Sequence, residues 1–76
     1  MNYGIVEIFK TDVTDNNKGS VILRMLKERF PSYTVNFDLD DCDKVLRIES
    51  HSDDIDIESV IEFVSNLKTQ ITLIED

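Results

Sequence analysis

The segment from Thr34 to Ser50 constrains the fold of this chain more than any other. It begins with apolar and polar residues that alternate one by one, in the order Val35, Asn36, Phe37, Asp38, Leu39, Asp40. A period of two predicts a strand with one buried and one solvated face. A short acidic turn follows, and Val45 to Glu49 then has the composition of a second strand. The segment therefore predicts a β-hairpin closed by a polar loop.

Two further strands are predicted at the ends of the chain. Tyr3 to Lys10 is rich in β-branched and aromatic residues, and Ile71 to Ile74 has the composition of a short last strand. The first strand is apolar on both sides, which suits a central strand. Its facing stays open, because either the pair Val6 and Ile8 or the pair Ile5 and Phe9 can point into the core.

Two helices are predicted between the strands. The first runs from about Lys18 to Phe30, before Pro31, and the hydroxyl, acidic and amide residues at 14–17 can cap it. The second follows Asp56 as N-cap. Each helix has an apolar stripe at helical spacing, formed in the first by Val21, Ile22, Met25, Leu26 and Phe30, and in the second by Ile57, Val60, Ile61, Val64 and Leu67. Gly19 either allows close approach of a neighbouring segment or is a neutral surface glycine.

The predicted order of elements is strand, helix, strand, strand, helix, strand. Two split βαβ units of this kind give an α+β sandwich of the ferredoxin-like type, βαββαβ. We expect a four-stranded antiparallel sheet in the order 4-1-3-2, with both helices on one face and the other face exposed. Residues 1–76 then form a single domain with a small core.

The charge of the chain restricts its partners. Sixteen acidic and eight basic residues give a net charge of −8. Nucleic acids and anionic membrane surfaces attract basic proteins, so we expect neither as a partner. The sequence has no stretch of about 20 apolar residues that could span a bilayer, and its start lacks the pattern of a secretory signal. We therefore expect a cytoplasmic protein.

Beyond these patterns, the order of elements and the segments Val35 to Leu39 and Val45 to Ile48 resemble the heavy-metal-associated domains of copper chaperones and metal-transporting ATPases. In that family, a Met-Thr-Cys-x-x-Cys loop after the first strand binds a soft ion such as Cu(I) through two thiolates. The matching loop here carries Asp12 and Asp15 where the cysteines would stand. Carboxylates are poor ligands for Cu(I). The resemblance thus implies a degenerate domain without its thiolate site.

Several other residues are weighed as ligands. A non-standard metal site could use Asp12, Asp15, Cys42 or His51, within one chain or across a dimer. The acidic hairpin turn, with Asp38, Asp40, Asp41 and Asp43, lacks the glycine and distal glutamate of an EF-hand loop. We find no nucleophile with its base, and we expect no catalytic residue, cofactor or metal.

The exposed sheet face is the remaining candidate site. Tyr3, Ile5, Phe9 and Val45 are predicted to lie on it if Val6, Ile8, Leu46 and Ile48 face the helices. Apolar side chains on the surface of a very acidic protein indicate a protein interface, which a homodimer could use. The predicted function is a small non-enzymatic interaction module. The alternative is a metal-binding or metal-carrier protein that uses Asp12, Asp15 and Cys42.

Overall fold

The secondary structure follows the predicted order of elements. The structure is a computed structural model that describes residues 4–40, 42–51 and 54–75. Its elements are β1 (Ile5–Thr11), α1 (Asn16–Arg29), β2 (Tyr33–Asp38), β3 (Val45–Ser50), α2 (Ile57–Ser65) and β4 (Ile71–Leu73). The hairpin is confirmed as β2 and β3. Within the described ranges, no helix is long and apolar enough to cross a membrane.

The four strands form one antiparallel sheet in the order β2-β3-β1-β4. This is the predicted order 4-1-3-2 read from the other edge. Since β1 and β2 are both antiparallel to β3, they run in the same direction, and α1 connects them. In the same way, α2 connects β3 to β4, which run in one direction beside β1. The sheet topology thus contains two split βαβ connections.

The core lies between one face of the sheet and the two helices. Eleven buried apolar residues form it, drawn from the strands, the helices and the connections between them: Phe9, Val13, Ile22, Leu26, Phe30, Val35, Leu46, Ile48, Ile55, Val60 and Val64. Both predicted helical stripes contribute to it. Val21 is the exception, because 44% of its surface is exposed. That residue lies at the edge of the α1 stripe and faces solvent.

The helix ends are fixed by the capping chemistry that the sequence indicates. Asp15 caps α1 by accepting a hydrogen bond from the Asn17 backbone N–H at 2.8 Å, so α1 begins two residues before the predicted Lys18. Asp56 caps α2 and accepts from both the N–H and the hydroxyl of Ser59, at 3.1 and 2.8 Å. These bonds, with a smaller contribution from the charge of Arg29, lower the pKa of Asp56.

The predicted alternatives for Gly19 are decided by its surroundings. Gly19 is buried, and a Cβ on it would lie 3.4 Å from Leu39 Cδ1 and 3.7 Å from Phe37 Cδ2. The first turn of α1 therefore packs against the end of β2, which excludes a surface glycine, and both distances leave room for a methyl group. This contact joins the helix to the hairpin.

The predicted arrangement in which Val6 and Ile8 of β1 face the helices is wrong. Phe9 is completely buried and lies opposite Leu46, whereas Val6 and Ile8 are 40% and 39% exposed. Residues directly opposite each other on neighbouring strands share a face. Leu46 and Ile48 face the helices as predicted, so the register places Ile5 and Phe9 on their side. Val6 and Ile8 therefore point the other way.

Candidate interaction surface

The face of the sheet opposite the helices carries a mixed apolar and charged surface, which we call the open face. Strand alternation and register assign it Val6, Ile8 and Lys10 of β1, Thr34, Asn36 and Asp38 of β2, Val45, Arg47 and Glu49 of β3, Thr72 of β4, and Ile74 just after β4. Ile74 belongs to it because its N–H donates to the Ile8 carbonyl at 2.8 Å, which continues the β1–β4 ladder.

The apolar part of the open face lies over β1 and the edge beside it. Val6, Ile8 and Ile74 are each 37–40% exposed, and these three residues are most of the exposed large apolar side chains in the described ranges. An open groove of about 750 Å³ passes between Ile8, Ile74 and the β3 residues Val45 and Arg47. A second hollow of about 560 Å³ shares Ile8 and Ile74, passes Val6 and extends beyond the open face to Ile57 of α2. Val6, Ile8 and Ile74 therefore border two adjoining open hollows.

The charged part of the open face carries less excess negative charge than the rest of the molecule. Lys10 pairs with Asp43 at 3.7 Å, and Arg47 pairs with Glu49 at 3.7 Å. Lys10 and Arg47 offset two of the four carboxylates on or beside the open face, which are Asp38, Asp43, Glu49 and Glu75, whereas the chain as a whole carries a net charge of −8. Most of the excess negative charge of the protein therefore lies elsewhere on its surface.

Of the four predicted interface residues, the structure places one on the open face. Val45 lies there, half-buried, opposite Lys10 and Asp38. Ile5 and Phe9 belong to the helix-facing side: Ile5 is half-buried against the core, and Phe9 is part of it. Their assignment to the exposed face is wrong, because the β1–β3 register turns both toward the helices. Tyr3 lies outside the described residues.

Val6 and Ile8 take the place of Ile5 and Phe9 on the open face. This is the second of the two facings of β1 that the sequence pattern leaves open, although the predicted interface used the first. Ile74 was predicted only as the end of the last strand. Its register with Ile8 depends on a pairing between the two ends of the chain, which local sequence patterns do not specify.

Three of the predicted ligand residues, Asp12, Asp15 and Cys42, lie at the end of the sheet that contains the hairpin turn. There the Thr11 hydroxyl donates to the Lys44 carbonyl at 2.6 Å, and the Thr11 N–H donates to the Asp43 carbonyl at 3.2 Å. Asp12 lies in the loop after β1, and Cys42 lies in the turn, where it is exposed. These two hydrogen bonds bring the β1–α1 loop and the hairpin turn together at one end of the sheet.

At that end of the sheet, both loop aspartates accept hydrogen bonds from the backbone. Asp12 Oδ1 accepts from the Gln70 N–H at 3.0 Å, which joins the β1–α1 loop to the segment before β4. Asp15 Oδ1 is the helix cap already described. In the described part of the chain, no group of three or more His, Cys, Asp or Glu side chains is arranged to hold a metal ion. Asp41 lies outside that part, and His51 is exposed at the opposite end of β3.

Comparison with known proteins gives no relative from which a function could be transferred. No protein-family model matches the chain, and searches of curated proteins and of solved structures find no significant match. The functional argument therefore depends on the open face itself.

Proposed function

We propose that this protein is a small non-enzymatic interaction module whose open face binds another protein chain. The observation that carries the proposal is the set of exposed apolar residues Val6, Ile8 and Ile74 on one face of an otherwise acidic molecule. Exposed apolar groups that adjoin one another and are bordered by polar residues are typical of protein interfaces. The groove along them offers a concave surface for a partner's side chains.

We further propose that the fold is ferredoxin-like and that the chain is similar to a heavy-metal-associated domain without its thiolate site. The strand order β2-β3-β1-β4 and the two split connections support the fold assignment. The use of Asp12 and Asp15 as backbone acceptors supports the view that this loop now serves the fold. In such a protein, the sheet face takes over the role of binding surface.

A matched pair of substitutions tests the binding role. Val6 on the open face and Val21 on α1 have the same side chain and are 40% and 44% exposed. Immobilised wild-type protein, V6K and V21K are used to capture proteins from cells that express the chain, and mass spectrometry identifies what is retained, including the untagged chain itself. We expect a protein retained by wild type and V21K but lost by V6K. Equal retention by all three, or by none, would contradict the proposal.

A further inference from the structure

We propose that the occupant of the open face is a second copy of this chain, packed face to face about a two-fold axis. This inference rests on the proposed function, since it names the partner of the same surface. Its basis is the arrangement of side chains that the strand register imposes on the face.

The register places the open-face residues in rows that cross the strands. One row contains Thr34, Glu49 and Val6, which lie side by side on β2, β3 and β1. The next row contains, on the same three strands, Asn36, Arg47 and Ile8. On β3 the two rows carry opposite charges. On β1 and β2 they carry side chains of different size, both apolar on β1 and both polar on β2.

These two rows are complementary to each other. Two copies can stack with their open faces together, related by a two-fold axis between the two sheets. If this axis runs parallel to the rows, across the strands, and midway between the two rows, each row lies over the other row of the second copy. Val6 then packs on Ile8 of the second copy, and Glu49 meets the second copy's Arg47. Thr34 lies over Asn36 in the same way. Because the axis is two-fold, every contact occurs twice.

The charges favour this partner over others. Two copies that each carry a net charge of −8 repel each other over most of their surfaces. The open face is where that repulsion is weakest, because Lys10 and Arg47 offset two of the carboxylates on or beside it. A basic partner would be attracted to the acidic remainder of the molecule, whereas a second copy fits this less acidic face. Arg47 and Glu49 already lie 3.7 Å apart within one chain, with 55% and 30% of their side-chain surfaces exposed, so both are available to a facing copy.

Charge exchange between Arg47 and Glu49 gives a specific test. In R47E, position 47 of each chain would face Glu49 of the other with like charge, and E49R would set two cations against each other. Each variant alone should dimerise at least roughly tenfold more weakly than wild type. An equimolar mixture of R47E and E49R should form a heterodimer, because both contacts then join opposite charges. The recovery in the mixture also shows that both variants are folded.

The experiment is sedimentation equilibrium of the full chain over a range of concentrations, for wild type, V6K, V21K, the two charge variants and their mixture. We expect wild type and V21K to reach twice the mass of one 8.8 kDa chain, V6K to remain monomeric, and the mixture to recover the dimer. A wild type that stays monomeric up to its solubility limit overturns the second copy as occupant but leaves the proposed docking role standing. A dimer that V6K does not weaken forms through another surface and overturns the second copy as occupant of the open face, while the capture experiment with V6K and V21K still decides the docking role. A dimer that V6K abolishes but that the mixture does not restore overturns the two-fold arrangement.

Discussion

Replacement of Gly19 by alanine should stabilise the protein, and the size of the effect follows from the surroundings of this residue. Gly19 lies in the first turn of α1, and its N–H donates to the Asp15 carbonyl at 2.9 Å, so its backbone is already helical. Alanine is favoured over glycine inside a helix by about 1 kcal/mol. The new methyl group would contact Leu39 Cδ1 at 3.4 Å, Phe37 Cδ2 at 3.7 Å and Val13 Cγ1 at 3.8 Å, which are ordinary van der Waals distances.

The expected gain for G19A is therefore about 1 kcal/mol in the free energy of unfolding, because the methyl group fits without displacing its neighbours. In a domain of this size, such a gain raises Tm by roughly 4–8 °C. Thermal unfolding followed by circular dichroism and calorimetry measures it. Valine at the same position would add branches where Leu39 already stands at contact distance, so G19V should lose the gain and destabilise the protein by about 1–3 kcal/mol.

Ser20 is the control for the helix-propensity part of this effect. It follows Gly19 in the same turn but is exposed, so S20A should give only a fraction of the gain. A G19A protein that melts below wild type would refute the reasoning, since it would mean that α1 and the end of β2 lie too close to admit a methyl group.

Three other substitutions test the remaining parts of the structure. F9A should cost about 3–5 kcal/mol in urea unfolding because Phe9 is completely buried, whereas I8A should cost much less; similar costs for the two would contradict the facing of β1. Lys68 has a φ of 57°, a conformation that glycine adopts without strain, so K68G should raise Tm, and a decrease would contradict the assigned backbone geometry. The pKa of Asp56 is lowered from its ordinary value of 3.8, so its carboxylate stabilises the folded state above that pH and the contribution is lost as the pH falls through the folded-state value. The stability difference between wild type and D56N should therefore shrink on acidification from pH 7, and a difference that grows would contradict this linkage.

The sequence was sufficient for the order of elements because each has a local signal. The strict alternation from Val35 to Leu39 specifies β2, and Asp56 followed by residues at helical spacing specifies α2. The start of α1 was less determined, since four consecutive residues at 14–17 can cap a helix. Asp15 is the one that accepts the bond from Asn17.

The facing of β1 could not be predicted because its two sides are nearly equivalent in composition. One side carries Ile5, Glu7 and Phe9, and the other carries Val6, Ile8 and Lys10, so each has two apolar residues and one charge. A shift of one residue in pairing exchanges the two sets. The pairing of Phe9 with Leu46 decides between them, and that contact joins residues far apart in the chain. The candidate surface depends on the same register.

The measurement that tests the central claim most directly is nuclear magnetic resonance of the labelled full chain at increasing concentration, with every backbone amide assigned. If the open face is the binding surface and a second copy occupies it, the amide shifts of Val6, Ile8, Arg47 and Glu49 should change together as the dimer forms, whereas that of Val21 on α1 stays constant. Shifts centred on α1, or spectra that stay those of a monomer at every concentration, would contradict association through the open face.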